Sequence, residues 1–161
     1  REKAVSMGLH IPLVYNTGGY DNPDTLELLE GIVDIYMPDF KFWNPALSRA
    51  YCDVPDYPEV ARQALRVMHR QVGELTMDAD GIARHGMIIR HLVMPQGLAE
   101  TRGILTFIAE HLSRDTYVNL MPQYRPCGQA GEFPALSRSL NSREFKAAVM
   151  AALKIGLRRL D

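Results

Sequence analysis

Apolar residues recur along the chain with two different spacings. Short apolar runs that end in proline or a polar cluster predict strands at residues 11–16, 32–38, 87–94 and 116–121. Longer segments with helical spacing predict helices at residues 22–31, 45–50, 58–72, 98–112 and 141–156. Because strands alternate with long helices, the pattern predicts right-handed βαβ units and a parallel sheet.

Helix-capping residues support two of these assignments. Asn22 is suited to cap a helix whose first residue is Pro23. Either Ser142 or Asn141 begins the last helix, and in the second case Glu144 completes a capping box.

Three other segments interrupt the alternation. An Asp80-Gly81 turn predicts a β-hairpin excursion that leads into the third strand. Residues 123–140 have no regular period and predict a long loop. Residues 1–8 are typical of the last turn of a helix, so we expect the chain to start within a larger domain.

Composition excludes several classes of protein. The 161 residues carry a formal net charge of -1, which disfavours a nucleic-acid-binding surface. No apolar run approaches the roughly 20 residues that a membrane-spanning helix needs. Cys52 and Cys127 lack CxxC spacing and are predicted to be reduced thiols of a cytoplasmic protein, with no zinc or iron–sulfur site of their own.

Polar side chains lie at or near the end of each predicted strand. They are Asn16 and Thr17 at the first strand, Asp39 and Lys41 at the second, Arg90 and His91 at the third, and Gln123, Tyr124 and Arg125 at the fourth. Ligands of parallel α/β folds bind at the carboxyl ends of the strands. The sequence therefore predicts a ligand site there, centred on Asp39 and Lys41.

The spacing of these residues predicts their directions. Asp39 and Lys41 are two positions apart, so they face the same way in an extended segment. They form a site or, alternatively, a surface ion pair that contributes about 0–1 kcal/mol. Arg90 and His91 must face opposite sides of their strand. We expect Arg90 to face the ligand and His91 to have a structural role.

Several segments together resemble a known family. They are Tyr-Asn-Thr-Gly-Gly-Tyr at 15–20, Asp-Ile-Tyr-Met-Pro-Asp-Phe-Lys at 34–41, Ile-Arg-His-Leu-Val-Met-Pro at 89–95 and Asn-Leu-Met-Pro-Gln-Tyr at 119–124, with residues 57–62 and 115–121 in support. The chain resembles the C-terminal half of radical S-adenosylmethionine (radical SAM) proteins related to pyruvate formate-lyase activating enzyme, particularly their uncharacterised iron–sulfur branch. The resemblance implies an α/β fold in which residues 1–161 form part of a (β/α)6 barrel and the N-terminal cluster-binding part is absent.

The resemblance also implies a chemistry for the complete protein. Members of the family hold a 4Fe-4S cluster through an N-terminal CxxxCxxC motif and cleave SAM reductively to a 5′-deoxyadenosyl radical. The implied partner is a glycyl-radical enzyme or another protein substrate. This sequence contains no CxxxCxxC motif and no glycine-rich GGEP-like segment, so we expect the chain alone to be inactive.

Site residues carry over from the family position by position. Asp39 and Lys41 match a pair that approaches SAM, and a lysine ammonium there suits the SAM carboxylate. Arg90 matches an arginine near the substrate. Tyr124 stands where the family has a histidine near SAM, so that contact differs here.

The resemblance also implies a small monovalent-cation site. Asn16, Thr17, Asp39 and the carbonyl group of Met37 occupy the matching positions. Asn16 stands where related enzymes have aspartate, which removes one negative charge from the implied set of ligands.

Two other functions remain open at this point. Asp39 and Lys41 could be the acid–base pair of a different α/β barrel enzyme, which requires a buried lysine. The chain could also be a non-catalytic interaction domain. An incomplete barrel has open sheet edges, which predicts self-association.

Overall fold

The computed structural model describes residues 1–161, with the side chain of Ala99 excepted. Its helices are α1 (Glu2–Ser6), α2 (Pro23–Glu27), α3 (Pro45–Cys52), α4 (Tyr57–Val72), α5 (Leu98–His111) and α6 (Ser142–Ile155). Its strands are β1 (Val14–Thr17), β2 (Ile35–Pro38), β3 (Thr76–Met77), β4 (Ala83–Leu92), β5 (Tyr117–Met121) and β6 (Arg159–Leu160). A 3-10 turn, Gly128–Glu132, lies within the predicted loop.

The strands form one sheet in the order β1-β2-β4-β5-β6. Each neighbouring pair along this path is parallel. The short β3 pairs antiparallel with the beginning of β4, so the predicted hairpin excursion is confirmed. The predicted parallel α/β fold is confirmed as well, because helices connect the parallel strands.

The capping signals have the expected geometry. The Asn22 side chain accepts hydrogen bonds from the backbone N–H groups of Asp24 at 2.7 Å and Thr25 at 3.4 Å. Of the two caps considered for the last helix, the structure has Asn141. Its side chain accepts from the Glu144 N–H at 2.9 Å, and Glu144 accepts from the Asn141 N–H at 3.2 Å. These bonds satisfy backbone donors that the first helical turn leaves unpaired.

Helix α4 supplies much of the core on one face of the sheet. Its Leu65 and Met68 side chains are fully buried, and the helix packs against β2 and β4. Burial of each such side chain contributes about 1.5–3 kcal/mol. Among the described side chains, no helix is long and apolar enough to cross a membrane.

The structure corrects three details of the predicted elements. The apolar run at residues 11–16 predicts a buried strand, but β1 lies at the edge of the sheet and its Val14 side chain is half exposed. Leu26, Leu28 and Leu29 are predicted to form the apolar face of α2, but the helix ends before Leu28 and the Leu28 side chain is exposed. The two-residue β6 was not predicted, since it is too short to show a period.

Candidate functional site

Strand β4 has two faces of different character, and one of them carries the candidate site. Ile89 and His91 are buried on the face that packs against the helices, which we call the covered face. Ile88 and Arg90 alternate with them and are only partly buried on the other face, which we call the open face. The predicted opposite directions of Arg90 and His91 are therefore confirmed.

Asp39 is brought beside Arg90 by an extension of the sheet. The Phe40 N–H donates to the Arg90 carbonyl at 2.9 Å, and Asp39 and Arg90 form a parallel bridge just beyond the end of β2. The Lys41 Nζ atom lies 2.8 Å from Asp39 Oδ2. The prediction that Asp39 and Lys41 face the same way is confirmed.

The Arg90 guanidinium joins two strand ends. Its Nη2 atom lies 2.6 Å from Asp39 Oδ1 and donates to Asn16 Oδ1 at 2.7 Å. Asp39 Oδ1 and Arg90 Nε are both buried; Oδ1 has its ion-pair contact with Nη2, and Nε has no hydrogen-bond partner among the described side chains. Because protein atoms cover both, the group of this cluster that a ligand can reach most readily is the exposed Lys41 ammonium.

The charges of this cluster do not cancel. Lys41 and Arg90 each carry +1 and Asp39 carries -1, which leaves a formal charge of +1. The Lys41 ammonium has three N–H donors, of which Asp39 needs one. The arrangement therefore favours a ligand with an anionic group, such as a carboxylate.

His91 is held by hydrogen bonds on the covered face. Its Nδ1 atom lies 2.7 Å from the Phe40 carbonyl and its Nε2 atom lies 2.9 Å from the Thr101 hydroxyl. A carbonyl only accepts, so Nδ1–H donates to it and Nε2 accepts from Thr101. Burial lowers the pKa of His91 from 6.5 to about 4. The neutral ring ties β4 to Phe40 and α5, which confirms its structural role.

Thr17 is engaged with its own loop. Its hydroxyl donates to Asp21 Oδ2 at 2.6 Å and accepts from the Gly19 N–H at 3.2 Å. The Tyr15 hydroxyl donates to the other oxygen of Asp21 at 3.0 Å. Sequence reasoning missed Asp21, although its position just after the Thr-Gly-Gly turn could have indicated a contact with Thr17.

The oxygens implied for a monovalent cation lie near a positive side chain. The Arg90 guanidinium lies against Asn16 Oδ1 and Asp39 Oδ1, two members of the implied set. Among the described residues, no group of three or more His, Cys, Asp or Glu side chains is arranged to hold a metal ion. A cation at Asn16, Thr17 and Asp39 stays a prediction from the resemblance.

Tyr124 belongs to the loop that follows β5. Its hydroxyl donates to the Leu136 carbonyl at 2.8 Å, and burial raises the pKa of Tyr124. Gln123 and Arg125 on either side of it are exposed. The structure thus brings Asn16, Asp39, Lys41 and Arg90 into one cluster, whereas the described hydrogen bonds of Tyr124 keep its hydroxyl within the loop.

The loops after β1 and β2 are packed closely together. Gly19 has φ +79°, and a Cβ atom there would lie 2.2 Å from the Asp39 carbonyl oxygen, so only glycine fits without a shift of the backbone. Tyr57, whose role sequence reasoning missed, contacts both loops through its hydroxyl. A cavity of about 300 Å³ adjoins this contact; its walls are Gly18, Tyr20, Lys41, Phe42, Ser48, Cys52, Val54 and Tyr57.

The chain is similar to known proteins in sequence and in structure. The chain is 35% identical over 150 residues to the uncharacterised protein MJ0674 of Methanocaldococcus jannaschii. The match covers 92% of this chain and 40% of that relative, so the chain spans less than half of its length. No protein-family model matches the chain.

A solved structure shares the fold. It is the crystal structure of a domain of pyruvate-formate lyase-activating enzyme from Bacteroides vulgatus, with a TM-score of 0.67 and 16% sequence identity. The superposition covers 99% of this chain and 84% of that one. The chain therefore has the fold of that domain.

Proposed function

We propose that residues 1–161 form one wall of the SAM site of a radical SAM enzyme. The cluster of Asp39, Lys41 and Arg90 is the observation that carries the proposal, because its net positive charge and its exposed Lys41 ammonium lie at the carboxyl ends of parallel strands. The likeness to an activating-enzyme domain supports the same family.

Each member of the cluster has a task in this proposal. Lys41 keeps two N–H donors for the carboxylate of SAM after its contact with Asp39. Asp39 contacts the Lys41 ammonium through Oδ2 and the Arg90 guanidinium through Oδ1, so it holds the two cations in place. Asn16 holds the Arg90 guanidinium in place from β1, on the other side of β2.

The cysteines of this chain do not fit an iron–sulfur cluster. Cys52 and Cys127 are both exposed, and a cluster of this kind needs at least three thiolates at close spacing. We therefore assign no step of the reaction to them. In the complete protein, a 4Fe-4S cluster bound outside residues 1–161 would supply the electron for SAM cleavage, and a glycyl-radical enzyme or another protein would be the substrate.

One alternative function is less well supported by the geometry. An acid–base pair of Asp39 and Lys41 requires a lysine removed from water. The Lys41 side chain is 42% exposed and lies in contact with a carboxylate. These features suit a fixed positive charge that binds an anion better than they suit a proton acceptor.

Substitution of Lys41 in the complete protein tests the proposal. Lys41→Met removes the charge but keeps much of the apolar stem, and we expect SAM affinity, measured by equilibrium dialysis, to fall about tenfold or more. Lys154→Met makes the same change at an exposed position of α6 and serves as the control. Absence of SAM binding by the wild type, or equal affinities of the two variants, would contradict the proposal.

A further inference from the structure

One buried hydroxyl connects the two loops that carry the proposed site. Tyr57 Oη accepts a hydrogen bond from the Lys41 backbone N–H at 3.0 Å. Tyr57 Oη also lies 2.9 Å from the Gly18 carbonyl oxygen and 3.1 Å from the Asp39 carbonyl oxygen. These two oxygens share the single hydrogen that the hydroxyl donates. The hydroxyl thus contacts the β1 loop once and the β2 loop twice.

The Tyr57 ring holds this hydroxyl in a fixed position. The side chain is buried at the start of α4 and packs edge-on against Phe42, with ring centroids 6.0 Å apart. On another side it stacks with Tyr20 at 6.2 Å and an interplanar angle of 14°. Burial raises the pKa of Tyr57, which keeps the hydroxyl proton available for donation.

The position of Lys41 depends on these contacts. Its backbone N–H is fixed by Tyr57, and its Nζ atom lies beside Asp39 Oδ2 and 3.4 Å from the place that a Cβ atom of Gly18 would occupy. Separation of the two loops would therefore move the ammonium away from Gly18, and Asp39, which belongs to the same loop as Lys41, would move with it. The ammonium has no other charged partner among the described side chains.

We propose that Tyr57 is a positioning residue, which fixes the Lys41 ammonium for the anionic group of the ligand through its hydroxyl contacts with Lys41, Gly18 and Asp39. This inference rests on the proposed function, since the ligand is taken to be SAM. Tyr57 does not touch the ligand in this proposal. It acts through Lys41, and its substitution is predicted to change ligand affinity only while Lys41 is present.

Removal of the hydroxyl alone tests the inference in the complete protein. Tyr57→Phe keeps the ring, and we expect SAM affinity to fall about fivefold to tenfold, as measured by equilibrium dialysis. Tyr20→Phe is the matched control: its ring belongs to the same stack, but its hydroxyl donates to Asp56 at 2.8 Å, outside the cluster. We expect that variant to bind SAM as the wild type does.

A double variant separates positioning from a general loss of structure. In a Lys41→Ala background, Tyr57→Phe should cause no further loss of SAM affinity, because the group that Tyr57 positions is gone. An additional fivefold loss in that background, or equal effects of Tyr57→Phe and Tyr20→Phe, would overturn the inference. If Lys41→Ala weakens binding and Tyr57→Phe does not, the proposed function stands and the inference fails.

Amide hydrogen exchange tests, without a ligand, whether the Tyr57 hydroxyl positions Lys41. Loss of the Tyr57 hydroxyl removes the acceptor of the Lys41 N–H, so we expect exchange at Lys41 to be at least tenfold faster in Tyr57→Phe than in Tyr20→Phe. If wild-type protein binds no SAM, the proposed function fails, and this measurement still tests the positioning of Lys41. Equal exchange rates of the Lys41 amide in Tyr57→Phe and Tyr20→Phe would overturn the inference that Tyr57 positions Lys41.

Discussion

The two faces of β4 hold their side chains in different ways. On the covered face, Ile89 is fully buried and His91 is 1% exposed, with both ring nitrogens hydrogen-bonded. On the open face, the Arg90 side chain is 24% exposed and its Nε atom has no hydrogen-bond partner among the described side chains. Adjacent residues of one strand thus have satisfied contacts on one side and unsatisfied ones on the other.

This difference separates stability from binding. Apolar burial on the covered face supplies most of the free energy of folding that the sheet can gain. The open face keeps charged groups at the strand ends, where partial exposure weakens their contribution to stability. We therefore expect substitutions on the covered face to change the free energy of unfolding and those on the open face to change ligand affinity.

The largest expected difference lies between two adjacent isoleucines. Ile89→Ala removes a fully buried side chain, and we expect it to lower the free energy of unfolding by about 2–5 kcal/mol. Ile88→Ala makes the same change on the open face, where the side chain is only partly buried, and should cost less than half as much. Urea unfolding of the 161-residue chain measures both values. Equal losses would show that the open face is packed as tightly as the covered one.

The second prediction concerns the pH dependence of the free energy of unfolding, to which His91 on the covered face contributes. Its pKa is about 4 in the folded protein and 6.5 as the reference value, so the unfolded chain binds more protons between these values. The contribution of neutral His91 to the free energy of unfolding is fully present above about pH 6.5. It falls by about 3 kcal/mol as the pH decreases to 4, because the unfolded chain gains the proton first.

Unfolding measurements across this range, compared with a variant that cannot titrate, check the His91 prediction. His91→Gln should lack this part of the pH dependence, whereas His85→Gln, at an exposed position of the same strand, should keep it. If wild type and His91→Gln lose stability in parallel between pH 6.5 and 4, the protonation of His91 does not limit stability.

Sequence patterns predicted much of this division between the two faces. Alternation along residues 87–94 was enough to separate Arg90 from His91, because neighbouring strand residues must point in opposite directions. The pattern could not show that β1 is an exposed edge, since edge position depends on which strands pair. It also missed the contact of Tyr57 with Gly18, which lies 39 positions away, because periodicity reports only local geometry.

The smallest expected effect on stability belongs to the open-face ion pair. Lys41→Ala breaks the contact with Asp39, but the lysine side chain is 42% exposed, so we expect a loss of less than about 1 kcal/mol in urea unfolding. Arg84→Ala, which breaks the exposed hairpin pair with Asp78, is the control and should cost a similar amount.

A larger loss at Lys41 would contradict the separation of stability from binding. If Lys41→Ala cost more than about 2 kcal/mol while Arg84→Ala did not, the charged cluster would be part of the folding core. A small loss leaves Asp39 with Arg90 as its remaining partner, 2.6 Å away, so the fold keeps its form. Lys41 would then be a residue that the fold does not need, which is expected of a side chain whose role is to bind a ligand.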